Sequence, residues 1–172
     1  KELVATAMLL GSRGIIEGIC YVDTLAGLTD KAEMHRILEA QKKQFKGNEL
    51  VGKTLGVVGL GAIGSMVAEM ALTMGMEVVG YDPALSVEAA WRLSSKVRRA
   101  ETLSALFARS DYITLHLPVL DSTRGLVNAE LLGAMKPDAC LLNFARQEIV
   151  NEDDLVRALD GRSLRKYIAD FP

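Results

Sequence analysis

Between Thr54 and Asp82 the chain reads TLGVV, then GLGAIG, then SMVAEMALTMGM, then EVVGYD. An apolar run of strand type, a glycine turn, a helical stretch and a second apolar run ending in an acid follow one another without a break. This order restricts the possible folds more than any other feature of the sequence. Gly59 permits the tight turn, Gly61 lets a pyrophosphate approach the backbone, and Gly64 allows the helix to lie close on the strand. Asp82 follows Gly59 by 23 residues, near the ~20 expected for a carboxylate that binds a ribose diol. The glycine pattern alone would be weak, but in this order it defines a dinucleotide-binding βαβ unit. Asp82 would repel a 2′-phosphate and no Arg follows it directly, so NAD is favoured over NADP. The alternative for Asp82 is a surface acid in the turn before Pro83.

A second glycine pattern, GNELVGKT from Gly47 to Thr54, matches a phosphate-binding P-loop letter for letter. A P-loop must follow a hydrophobic strand and open a helix. Here the charged KKQFK precedes it and the strand TLGVV follows, so the stretch is read as a turn into the first strand.

Strand-type runs recur at Glu77 to Tyr81, Tyr112 to His116, Ala139 to Phe144 and Lys166 to Ala169, with a shorter one near Val97. Helical stretches separate them at Ile63 to Met74, Thr102 to Ala108, Asn128 to Met135 and Glu152 to Leu159. Asn128 and Asn151 are placed as N-caps and Gly161 as a C-terminal stop. Such alternation predicts an α/β fold of Rossmann type, a doubly wound parallel sheet with helices on both faces. With 172 residues, 49% of them hydrophobic, the chain suits one domain, 1–172. Ahead of the first strand, Glu2 to about Val22 has helical periodicity over more than one face, as one helix buried on several sides would. Residues 29–46 read as a charged, helical surface connection.

Twenty basic and twenty-two acidic residues leave a net charge of -2, so no field draws in a nucleic acid or a membrane surface. No run of about 18 apolar residues spans a bilayer, and the acidic Glu2 argues against a signal peptide. Cys20 and Cys140 lack the spacing of a metal or redox motif and are read as buried thiols in a reducing, cytoplasmic setting. There is no initiator Met, and the chain stops at Pro172 just after an apolar strand, as an excised piece would.

Three stretches carry a wider likeness: FKGNELVGKTLGVVGLGAIGSMVAEMALTMGMEVVGYDP, then DYITLHLPVLDSTRGLVNAELLGAMKPDACLLNFARQEIVNEDDLVRAL, and the closing YIADFP. Together they resemble the nucleotide-binding domain of the NAD-dependent D-2-hydroxyacid dehydrogenases. The resemblance implies hydride transfer between NAD and a small 2-hydroxy or 2-keto acid, and a homodimer formed through this domain. It implies that Arg146, at the Arg of an N-x-A-R-G motif, clamps the substrate carboxylate, which suits a planar fork of donors. It also places Ala62 and Ile63 against the pyrophosphate, Leu117 and Pro118 on the adenosine side, Thr123 near the phosphates, Ala145 at the ribose or nicotinamide, and Asp170 at the carboxamide. His116 falls at a strand end of structural character, and His35 lies on the charged helix. The resemblance puts the family's proton-transfer His and its Glu beyond Pro172, and its substrate domain in flanking segments, so this chain is expected to bind NAD without turnover.

Gln147 departs from the motif, which has Gly there. If the position requires positive φ, Gln costs roughly 1–2 kcal/mol and tilts Arg146. The family also includes corepressors that dimerise on binding dinucleotide, so a non-catalytic NAD-sensing module is the alternative reading.

Overall fold

A computed structural model describes residues 1–171. Pro172, the last residue of the YIADFP stretch, lies outside them. Six strands form one sheet: β1 Thr54–Val58, β2 Glu77–Tyr81, β3 Arg98–Arg99, β4 Tyr112–Leu115, β5 Cys140–Asn143 and β6 Lys166–Ala169. Their order is β3-β2-β1-β4-β5-β6, and every pairing is parallel. β4 and β5 are buried along their whole length and β1 beyond its first residue, which is why they read as unbroken apolar runs. At one edge β3 is only two exposed arginines, a short charged strand that discourages further pairing.

Side chains alternate across the pleat and divide the core in two. On one face Ile113, Leu115 and Leu141 pack under α6 Leu103–Arg109, α7 Ala129–Ala134 and α8 Glu152–Asp160, through Leu106, Phe107, Leu132 and Leu155. On the other, Leu55, Val57, Val78 and Leu142 pack under α1 Glu2–Ser12 and α4 Ala62–Thr73, through Met8, Val67, Ala68 and Ala71. Asn128 and Asn151 cap α7 and α8 as read from the sequence, and Gly161 ends α8. One helix, α5 Val87–Arg92, has no counterpart in the sequence reading; Ser86 caps it with a bond to the Ala89 amide.

The single helix expected over Glu2 to Val22 is corrected by the structure to two, α1 and α2 Ile15–Asp23, bent by 61°. The helical period continues in sequence, but at Gly14 the chain turns past Phe45, whose carbonyl accepts the Gly14 N–H at 3.1 Å. A Cβ on Gly14 would stand 2.8 Å from the Phe45 backbone, so only glycine fits. Beyond the bend α2 buries nothing fully: Ile15, Ile16, Ile19 and Val22 are exposed. Cys20 is exposed on it too, which corrects the expectation of two buried thiols. Cys140 is buried, and burial pushes its thiol up to about 12. The charged connection is α3 Lys31–Gln41 followed by a 3-10 turn, Lys42–Phe45. The P-loop-like stretch runs through the positive-φ glycines 47 and 52 into β1, not into a helix. Among the described residues, no single helix is long and apolar enough to cross a membrane.

Candidate functional site

Because all six strands are parallel, their carboxyl ends open on one edge of the sheet. The strand order reverses its winding between β1 and β4, where open α/β sheets bind ligands. The sequence candidates converge on this edge. Gly59, Gly61, Ala62, Ile63 and Gly64 follow β1, Asp82 follows β2, and Leu117, Pro118 and Thr123 follow β4; Ala145 and Arg146 follow β5 and Asp170 follows β6. From β2 to β6 the edge crosses four strand spacings, about 19 Å, room for an extended molecule with a ring at each end.

Each glycine of the turn has its own reason. Gly59 has φ +90, and a Cβ there would lie 2.5 Å from the His116 carbonyl oxygen. A Cβ on Gly64 would fall 1.9 Å from the Gly59 carbonyl oxygen, so helix and turn touch without a side chain between them. Gly61 differs: its φ of -65 suits any residue, and nothing lies within 4 Å of where its Cβ would be. Neither backbone nor neighbours demand a glycine at 61, and the space it leaves is open to a ligand.

The helix behind that space is equally telling. Asp30, Ser86, Thr102, Asn128 and Asn151 cap α3, α5, α6, α7 and α8 with their side chains, whereas α4, like α1 and α2, begins with no side-chain cap. Its first-turn amides, those of Ala62 and Ile63 among them, face outward with the positive end of the helix dipole, a ready site for a pyrophosphate.

Asp82 is fastened to the same turn. Its Oδ2 accepts the Leu60 N–H at 2.8 Å and its Oδ1 accepts the Ala84 N–H at 2.9 Å, leaving lone pairs on both oxygens for a diol. Leu60, which the sequence reading passed over, is therefore the link between acid and glycine turn. Past Asp82 lies a cavity of about 690 Å³, lined by Leu60, Leu85, Trp91, Val97 and Arg99 among others.

On the other side of β1, Leu117 approaches Gly59: its Cδ2 lies 3.0 Å from the position of a Cβ there. Thr123 Oγ1 accepts the Leu120 N–H at 2.8 Å and donates to the Pro118 carbonyl at 2.7 Å, so its hydroxyl shapes the loop that carries Pro118. His116 Nε2 lies 3.0 Å from Thr114 Oγ1, and burial lowers the imidazole from 6.5 to about 4. It is neutral near pH 7 and structurally engaged, as its strand-end position implied.

After β5, the fully buried Asn143 donates from Nδ2 to the Arg146 carbonyl at 2.9 Å and accepts the Ala145 N–H on Oδ1 at 3.1 Å. This second residue missed in the sequence holds the Arg146 loop in place; its signal was an amide closing an otherwise apolar strand. Arg146 is exposed, with Nη1 donating to the Ala145 carbonyl at 2.7 Å and, among the described residues, no carboxylate paired with it. Asp170 stands exposed just past β6. The expectation of strain at Gln147 is corrected: the residue begins a 3-10 turn, Gln147–Ile149, without positive φ, and its amide bonds to Glu152. The turn sets φ there, so a side chain fits without strain.

A parallel sheet in this order, with an uncapped helix behind a glycine turn and an acid tied to that turn, is a dinucleotide-binding domain. A sequence profile described as "D-isomer specific 2-hydroxyacid dehydrogenase, NAD binding domain" matches residues 22–172, and the chain belongs to that family, with NAD as its cofactor. D-3-phosphoglycerate dehydrogenase of Synechocystis sp. is 46% identical over 120 residues, which are 70% of this chain and 21% of that protein. Hydroxypyruvate reductase of Thermotoga maritima is 41% identical over 115 residues, 67% of this chain and 36% of that protein. Among solved structures, D-lactate dehydrogenase from Aquifex aeolicus, complexed with NAD and lactic acid, superposes with a TM-score of 0.80 at 28% identity, covering 98% of this chain and 46% of that one. The chain thus spans less than half the length of these relatives.

Proposed function

We propose that the chain is the coenzyme half of an NAD-linked oxidoreductase that oxidises a D-2-hydroxy acid, with 3-phospho-D-glycerate as substrate and 3-phosphohydroxypyruvate as product. The observation that carries the coenzyme assignment is the open space at Gly61 before the uncapped α4, with Asp82 tied to the same turn. The choice of substrate rests on the likeness to relatives named D-3-phosphoglycerate dehydrogenase. The amides of Ala62 and Ile63 hold the pyrophosphate, with Gly59 and Gly64 shaping the turn, and Asp82 accepts from the adenosine ribose. Leu117 and Pro118 flank the adenosine side, Thr123 fixes their loop beside the phosphates, and Ala145 meets the ribose or nicotinamide. Asp170 accepts from the carboxamide.

The bound nicotinamide supplies the hydride chemistry. The chain supplies Arg146, whose guanidinium clamps the substrate carboxylate in two places and so fixes the reacting carbon, an effect of orientation more than of charge. Neither of its two histidines is placed to move a proton, His35 being exposed on α3 and His116 held by Thr114, so residues 1–172 bind NAD without turnover. The substrate domain is assigned to other segments of the whole protein. We assign the protein to the cytoplasm, and the exposed apolar face of α1 and α2 to a homodimer contact.

Calorimetric titration of the chain with NADH and with NADPH tests this reading. Saturable NADH binding, with NADPH clearly weaker because Asp82 repels its 2′-phosphate, is the expected result. Failure of both to bind overturns the coenzyme assignment.

A further inference from the structure

We infer that Tyr167, on β6, is a positioning residue for the substrate clamp: its hydroxyl fixes the side-chain amide of Asn143, and through it the loop that aims Arg146. Asn143 is fully buried at the end of β5, so both hydrogens on its Nδ2 need acceptors. One faces the Arg146 carbonyl at 2.9 Å and the other the Tyr167 hydroxyl at 3.3 Å, while Oδ1 accepts the Ala145 N–H at 3.1 Å. The two partners on the loop are backbone atoms, which any sequence offers. The phenol is a side chain supplied by the neighbouring strand, where Tyr167 pairs with Leu141 and Ala169 with Asn143. Burial raises the hydroxyl above its usual range, so it meets the amide as a neutral group.

Arg146 needs such support. Its side chain is exposed and bonds back to the Ala145 carbonyl, and among the described residues no carboxylate aims it, so the backbone of 145 and 146 sets its direction. The Arg146 carbonyl also takes the Ile149 N–H at 3.3 Å, and the Gln147 amide ties to Glu152 on α8, so the far side of the loop is held separately. Asn143 holds the side that joins β5. With Phe at 167 one buried N–H would lose its acceptor. The amide escapes that costly state only by turning or by admitting water, and either slackens its hold on Arg146. Tyr167 thus ties the loop that holds the substrate to the strand that leads to Asp170. The inference rests on the dehydrogenase reading, in which Arg146 clamps a carboxylate.

The test uses the whole protein, with steady-state kinetics on 3-phospho-D-glycerate and NAD and with calorimetry for NADH. Tyr167→Phe keeps the ring and its packing. It is expected to lower kcat/KM about tenfold while leaving NADH affinity and thermal unfolding close to native. The same change is then made beside Arg146→Lys, which keeps a charge but not the two-pronged clamp. A hydroxyl that acts through Arg146 should matter by less than about twofold there, whereas one that serves the fold alone should matter equally in both backgrounds. Equal losses, an unchanged kcat/KM in Tyr167→Phe, or a variant that fails to fold or to bind NADH would overturn the inference. If the native protein oxidises no D-2-hydroxy acid, the dehydrogenase reading itself falls; native activity that Tyr167→Phe leaves intact sinks the positioning role alone.

Discussion

Asp82 does two jobs with one carboxylate, fastening the Leu60 amide of the glycine turn while keeping acceptor capacity for a ribose. Sequence spacing located the acid, because a βαβ unit of fixed geometry puts it a set distance from the first glycine. The tie to Leu60 was not legible, since any residue at that position offers the same amide. His116 yields a prediction at this scale. Its imidazole is held at about 4 in the fold against 6.5, so between those values the unfolded chain takes up a proton that the folded chain refuses. The stabilisation is complete above pH 6.5 and is lost as pH falls toward 4. In urea titrations the chain should lose about 2 kcal/mol more stability between pH 7 and pH 4.5 than His116→Gln does. Equal losses would mean that the imidazole is not protected from protons. Gln147 teaches the opposite lesson from Asp82: likeness to a motif cannot give φ, which the 3-10 turn sets and which leaves the glutamine unstrained.

The unit of β1, the glycine turn and α4 separates two kinds of glycine. Gly61→Ala should leave thermal unfolding nearly unchanged, since its Cβ meets nothing, yet weaken NADH at least tenfold by filling the approach to the α4 amides. Gly64→Ala forces a Cβ onto the Gly59 carbonyl oxygen and should destabilise the domain by about 1–3 kcal/mol or more. Calorimetry and thermal denaturation on both variants decide it; normal NADH binding by Gly61→Ala would show that the open space is not the ligand's. The limits of β1, β2 and β6 coincide with the sequence reading, while the fully buried β4 and β5 are each shorter than the apolar run that marked them. Elements were illegible where a distant backbone decides. The α1–α2 bend depends on Phe45 fitting against Gly14, and α5 is too short for its period to stand out.

At the scale of the molecule, α2 and its neighbour α1 present Leu3, Leu9, Ile15, Ile16, Ile19 and Val22 to the outside. So many exposed apolar side chains on two adjoining helices are unusual on an isolated domain and fit a second copy of the chain. Sedimentation should therefore give a dimer for the native sequence and a monomer for Ile19→Glu, and a strict monomer of the native chain at high concentration would refute the contact. The expectation of a dimer came from the family resemblance; the structure leaves most of the uncovered apolar side chains on α2, beyond the bend. The all-parallel sheet also governs how the chain must be made. No two of its strands can pair as a hairpin, so each waits for a crossover to be completed. β1 lies between β2 and β4, and β4 begins 58 residues after β1 begins. At a synthesis rate of about 5–20 residues per second, one side of the strand beside the glycine turn stands unpaired for about 3–12 s. For that interval the nascent chain offers an apolar β edge to whatever it meets, and the strand central to the finished site is the one that most needs protection from aggregation while it is being built.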